Sequence, residues 1–198
     1  MTIILNKEYW DFRWRFGDTG WDIGFPSPAI VEFVSQIENK NISILIPGCG
    51  NAYEAEKIFK LGFKNITLLD ISSELTNKLN DKLIGFTDIK IVCSDYFDYN
   101  GEHDLVLEQT FFCALNPELR EQYVRKTHQL LKNQGILAGL LFACEFDNPG
   151  PPFGGSIQEY ENLFKPYFNI ERLDFCEKSI EPRKGNEVFI QMRKVFTV

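Results

Sequence analysis

Histidine and methionine are scarce in this chain, two of each, and the five cysteines are scattered with no CxxC pair among them. Two histidines (His103 and His128) without metal-ligand spacing argue against a zinc site. The odd set of cysteines (Cys49, Cys93, Cys113, Cys144, Cys176) is the usage of a reducing compartment, where such residues serve mostly as small buried hydrophobes. Positive charge is also short: 21 Lys and Arg against 28 Asp and Glu give a formal net charge of −7. That leaves no basic footprint for nucleic acid or an anionic membrane surface. No apolar run approaches the roughly 20 residues of a membrane span, and the opening MTIILNKEYWDF is too short and too quickly charged for a signal peptide. A cytoplasmic, soluble protein is expected, and a monomer.

What is present describes an ordinary globular chain, 44% hydrophobic and 25% charged over 198 residues. No repeat, low-complexity tract or linker divides it, so residues 1–198 read as one domain, with residues 1–40 as N-terminal helices. From residue 42 onward apolar runs alternate with helix-period segments. Strands are expected at 43–46, 65–69, 89–93 and 104–107, with helices at 52–61 and 73–82 between them. Pro117 suits a first helical turn, and a helix to Leu131 presents Leu119, Tyr123 and Leu130 on one face. Gly135 is expected to cap that helix before a long strand at 136–144. A helix at 156–164 precedes strands at 170–176 and 187–193, which have no helix between them and so must be antiparallel. Alternating strands and helices demand a parallel sheet with helices on both faces. The expected fold is therefore α/β: a mostly parallel, seven-stranded, Rossmann-like sheet ending in an antiparallel hairpin, the class I methyltransferase architecture. Ahead of it, short helices are expected at 7–15 and 28–39, the second turning Ile30, Val34 and Ile37 inward.

Open α/β sheets bind ligands beyond the carboxyl ends of their strands. After the first strand comes Pro47-Gly48-Cys49-Gly50-Asn51, where glycines let a ligand approach the backbone and a helix N-terminus offers free N–H groups. A lone G-x-G is equally a tight turn. Asp70, however, closes the second strand twenty positions beyond Gly50, where an acid can accept both hydroxyls of a ribose. Ser94-Asp95-Tyr96 follows the third strand and sets another acid where an adenine amino group would lie. Singly, Asp70 and Asp95 read as helix caps or loop carboxylates. Together at successive strand ends, the three elements point to an adenosine site. Dinucleotide sites need a third glycine to bring helix and pyrophosphate together; that position is Tyr53. S-adenosylmethionine carries no phosphate and needs no such glycine, so it is the expected cofactor. A nicotinamide-dependent oxidoreductase and a non-catalytic adenosylmethionine-binding protein are the rival classes.

All three tryptophans (Trp10, Trp14, Trp21) fall in the first 21 residues, beside Tyr9, Phe12, Phe16 and Phe25. Trp10 and Trp14 share a helix face. They suit either a docking surface or a lid whose indole faces attract a cationic sulfonium. A pocket for the methyl acceptor is expected from Phe25, Phe111, Phe112 and Phe153, the last in the loop DNPGPPFGG at 147–155. Such an apolar pocket strips water from a thiolate or halide more cheaply than from a hard anion. No residue is marked as a dedicated base; a thiol could lose its proton to solvent or to a nearby carboxylate such as Glu108.

The motifs WDFRW, TGWDIG, ILIPGCGN, LLDIS, FFCALNPE, PGPPF and PRKG, in that order from Trp10 to Lys194, resemble the thiopurine methyltransferase family, most of all its thiol and halide methyltransferase branch. The resemblance implies that Trp10, Trp14, Trp21, Gly48, Asp70 and the Asp95–Tyr96 pair contact the cofactor, with Gly50 and Gln109 completing the candidate set. It implies methyl transfer to a small soft nucleophile, a thiol, sulfide or halide, with thiopurine and selenium or tellurium compounds as alternatives. Where that branch usually has tyrosine, this chain has Gln109, beside the acceptor pocket.

Overall fold

The computed structural model describes residues 3–147 and 150–195. At its centre is a seven-stranded sheet: β1 (Ser43–Pro47), β2 (Asn65–Asp70), β3 (Ile89–Cys93), β4 (His103–Gln109), β5 (Leu131–Phe142), β6 (Phe168–Phe175) and β7 (Glu187–Lys194). They lie in the order β3-β2-β1-β4-β5-β7-β6. The first five pair in parallel, whereas β7 runs antiparallel to both β5 and β6. Every residue of β1 is buried, as a central parallel strand covered on both faces must be.

The pleat of β1 sorts its side chains between two cores. Ile44 and Ile46 pack on one face with Ile30 and Val34 of α2 (Pro28–Ser35), Ala55 and Ile58 of α3 (Tyr53–Lys60), and Leu75 and Leu79 of α4 (Ser73–Lys82). Leu45 packs on the other with Tyr123 and Val124 of α5 (Arg120–Leu130) and Tyr160 and Phe164 of α6 (Ile157–Phe164). The N-terminal helix α1 (Lys7–Phe16) adds Trp14 to the first core. Ser72 and Ser156 cap α4 and α6, each accepting a backbone N–H three residues on at 3.2 Å.

Three expectations need correction. The helix expected to reach residue 39 stops at Ser35, because the chain turns back toward β1 through an Asx turn in which Asn39 accepts the Asn41 N–H at 3.0 Å. Gly135 does not cap α5 either. The helix ends at Leu130, Leu131 is already extended and paired with His103, and Gly135 lies inside β5. Pairing then jumps from His103↔Leu131 to Leu105↔Ile136, so the intervening residues bulge, with Gln134 at φ 63°. Pro117 opens a short 3₁₀ turn, Pro117–Leu119, rather than α5 itself.

Candidate active site

The chain builds outward from β1 to β3, then returns to lay β4 on the other side of β1. Beyond the strand ends at this reversal lies a cavity of about 600 Å³, lined by the segments that follow β1, β2, β3 and β4 and covered by the N-terminal region. In the loop after β1, Gly48 and Gly50 adopt φ of 55° and 50°. They serve different ends. A Cβ on Gly48 would stand 2.4 Å from the Phe111 ring, so this glycine lets the segment after β4 close on the loop. A Cβ on Gly50 would meet nothing within 4 Å, which leaves its backbone open to a ligand. Ala52 and Thr110, both lining the cavity, hold left-handed φ of 57° and 60° without being glycine.

Asp70 ends β2 half-buried, against the cavity, its Oδ1 accepting the Ser72 N–H at 2.9 Å. Burial pushes its carboxyl up to about 6, against the backbone N–H groups of Ser72, Gly50 and Ile71, which favour the charged form. Asp95 accepts the Phe97 N–H at 2.8 Å and also lines the cavity. Tyr96 lines it too, yet its hydroxyl points into the second core, 2.6 Å from Thr127 Oγ1, with its ring stacked on Tyr123.

Gln109 closes β4 on the cavity wall, and its Oε1 is buried without a donor. Its neighbour Glu108 does the opposite of what a base requires. It is fully buried away from the cavity; Oε1 accepts the N–H groups of Phe111 and Phe112, both at 2.8 Å, and Oε2 the Tyr123 hydroxyl at 2.7 Å. Burial raises it to about 7. Alternation along the strand turns successive side chains to opposite faces, so Glu108 ties down the next turn while Gln109 faces the ligand space.

Trp10, Trp14 and Trp21 all border the cavity, with Trp21 set edge-on to both others at centroid separations of 5.5 and 5.7 Å. The Arg13 guanidinium lies 4.9 Å above the Trp21 ring. Of the expected acceptor set, Phe25 and Phe111 line the cavity. Phe112 does not: it is 1% exposed and packs with Tyr123, Tyr160 and Phe164, because the short 3₁₀ turn of residues 112–114 rolls it inward. Phe153 does not line it either; its backbone N–H is tied to the Cys113 carbonyl at 2.7 Å, and Pro151 and Pro152 form the wall instead. Asn148 and Pro149 of that loop lie outside the described residues.

Four charged residues on the cavity, Arg13, Asp22, Glu54 and Arg183, stand outside the set expected from the sequence. Arg183 comes from PRKG; its Nη2 donates to the Trp21 carbonyl at 2.9 Å and its Nη1 pairs with Glu187 at 3.3 Å. Glu54, in the first turn of α3, is buried at 7% exposure and accepts the Ser27 N–H at 2.8 Å. Arg13, Asp22 and Arg183 lie within the motifs WDFRW, TGWDIG and PRKG, whereas nothing in the sequence distinguishes Glu54 from its neighbour Glu56. Among the described residues no group of His, Cys, Asp and Glu is placed to hold a metal ion, and no helix is long and apolar enough to cross a membrane.

Comparison with known proteins agrees with this architecture. The profile of the family described as thiopurine S-methyltransferase matches residues 5–196. Probable thiol methyltransferase 2 of Arabidopsis thaliana is 30% identical over 95% of this chain and 85% of that protein. Thiocyanate methyltransferase 1 of Brassica oleracea is 28% identical over 96% and 87%. In three dimensions the chain is similar to the Burkholderia thailandensis 1,6-didemethyltoxoflavin-N1-methyltransferase, solved with S-adenosylhomocysteine, at a TM-score of 0.75 and 15% identity over 96% of this chain and 87% of that one. The chain belongs to the thiopurine S-methyltransferase family and is an enzyme that transfers a methyl group from S-adenosylmethionine to a small nucleophile.

Proposed function

We propose that the acceptor is a small soft nucleophile, a thiol, sulfide or halide ion, bound at the wall made by Arg183, Phe142, Phe146, Pro151 and Pro152. The observation that carries this reading is the single fixed cation on an otherwise apolar wall. Arg183 is held by Glu187 and the Trp21 carbonyl, and the other guanidinium on the cavity, Arg13, is engaged by Asp18 and Tyr9. An apolar wall with one positive charge favours a weakly hydrated anion over a hard alkoxide or a cationic amine. The names of the plant relatives, which specify thiol and thiocyanate, support the same class.

The residues present fit the cofactor. Gln109 Oε1 is a buried acceptor without a donor, Gly50 leaves open space, and the Asp70 carboxylate is bonded by backbone groups with its open side to the cavity. Asp70 would take the ribose hydroxyls and Asp95 the adenine edge, with Gly48, Gly50, Tyr96 and Gln109 bounding the space, and Trp10, Trp14 and Trp21 covering it. S-adenosylmethionine supplies an activated methyl on a cationic sulfonium; the chain's own task is to align the acceptor and exclude water. A second reading, an aromatic thiol such as a thiopurine, is favoured by the Phe25 ring, 45% exposed beside the cavity and offering a face to stack on.

A competition assay at equal concentration tests the class: thiols, sulfide, thiocyanate and iodide against amines, phenols and carboxylates. The soft acceptors are expected to be methylated fastest. An amine or carboxylate in first place would overturn the reading.

A further inference from the structure

We infer that Glu54 is the proton acceptor for a thiol substrate, which makes the enzyme competent toward protonated thiols and not only toward preformed anions. The inference rests on the soft-acceptor reading above. Among the described residues, four carboxylates line the cavity: Asp22, Glu54, Asp70 and Asp95. Asp70 and Asp95 stand at the ends of β2 and β3, the half of the sheet assigned to the adenosine. Asp22 is already engaged by the Asn51 amide, by the Gly24 N–H at 2.8 Å and by the Tyr53 hydroxyl at 3.3 Å. Glu108 faces away. Glu54 alone is nearly fully buried on the cavity, with the Ser27 N–H as its one donor outside its own residue.

Its surroundings suit the task. Burial raises its affinity for a proton, the charge of Asp22 adds to this, and the Ser27 N–H, its own N–H and Arg183 oppose it. The Cys49 thiol, itself raised by burial, lies close enough to feel both Asp70 and Glu54. Arg183 bears electrostatically on Glu54, and both line the cavity. The step balances simply. The S–H bond breaks, its proton passes to a Glu54 oxygen, and the electron pair stays on sulfur beside Arg183. That pair would form the new bond to the methyl carbon as the bond from that carbon to the sulfonium sulfur breaks, its electrons staying on the departing S-adenosylhomocysteine, and the carboxyl afterwards returns its proton to water.

The magnitude follows from the acceptor. A thiol with a pKa near 8.5 is only a few per cent ionised at pH 7, so a base that ionises it on the enzyme gains about 30-fold. Glu54→Gln keeps a carbonyl acceptor for Ser27 while removing the proton affinity. Expected for this variant are a loss of about 30-fold in kcat/KM with a thiol of that pKa at pH 7, recovery as pH passes the thiol's own pKa, and no such loss with iodide, which has no proton to give up. An independent readout uses the inert complex of enzyme, S-adenosylhomocysteine and thiol, in which the wild type shows the ultraviolet thiolate band at pH 7 and the variant lacks it. Equal loss with thiol and iodide at every pH, no loss at all, or a wild-type complex whose thiol ionises as it does in water, each overturns the role of Glu54. The last measurement needs no variant and so stands if Glu54→Gln fails to fold. A wild type that methylates no thiol overturns the underlying reading instead.

Discussion

Asp70 and Glu108 are both carboxyls raised by burial, yet they serve opposite ends. Asp70 has its open side toward the cavity, so Asp70→Ala is expected to weaken S-adenosylhomocysteine binding about 10- to 150-fold, the worth of about 1.5–3 kcal/mol in a charge-assisted hydrogen bond. Calorimetry checks it, and an unchanged dissociation constant would leave Asp70 a loop carboxylate. Its raised value of about 6 adds a pH signature. Below pH 6 the empty site protonates and loses an acceptor, so affinity falls as pH drops through 6, and Asp70→Asn flattens that dependence. For Glu108 the sealed hydrogen bonds make the consequence one of stability. Glu108→Ala leaves two N–H groups and a tyrosine hydroxyl unpaired, an expected loss of roughly 2–5 kcal/mol in urea unfolding. Because its folded value, about 7, lies above the ordinary 4.5, the folded protein binds the extra proton. Glu108's contribution is therefore complete at low pH and is lost as pH rises through 7, a slope that Glu108→Gln removes.

At the scale of the element, α1 lines the cavity and is latched rather than merely packed. Asp11 accepts from the Ser72 hydroxyl at 2.6 Å, the Glu74 N–H at 3.1 Å and the Lys7 ammonium, so an acid on α1 caps the first turn of α4. Burial opposes its charge, but the Lys7, Ser72 and Glu74 bonds outweigh that and hold Asp11 well below the usual carboxylate range. Lys78 on α4 returns the contact to the Trp14 carbonyl at 2.9 Å. Ser72 also donates its N–H to Asp70, so one residue binds both the N-terminal helix and the acid at the end of β2. Asp11→Ala is expected to weaken S-adenosylhomocysteine binding about 2- to 30-fold, the scale of a lost cap. Hydrogen exchange over residues 7–25 should slow when product binds to the wild type and slow less in the variant. Equal protection with and without product would make α1 a fixed docking helix.

For the molecule as a whole, ligand binding and folding are linked. Product at one hundred times its dissociation constant adds about 2.7 kcal/mol. For a chain of this size that raises Tm by roughly 5–11 °C. NAD is expected to give no shift, since Tyr53 lines the cavity where a dinucleotide site has its third glycine. A shift with NAD and none with S-adenosylhomocysteine would count against the adenosyl site.

Hydrophobic periodicity by itself determined the element order, the two-faced sheet and the antiparallel end, because a strand buried on both faces and a helix buried on one leave different patterns. Local chemistry at strand ends likewise determined Gly48, Gly50, Asp70 and Asp95 as ligand-facing candidates, all of which line the cavity. Only the tertiary structure decided what each side chain faces. Phe111 and Phe112 are identical in kind and adjacent, yet one 3₁₀ turn sends the first to the cavity and the second to the core. Glu108 and Gln109 divide in the same way along the pleat. Glu54 and Arg183 meet the cavity from segments some 130 positions apart, and their burial and partners come from packing between distant segments, which no local pattern records.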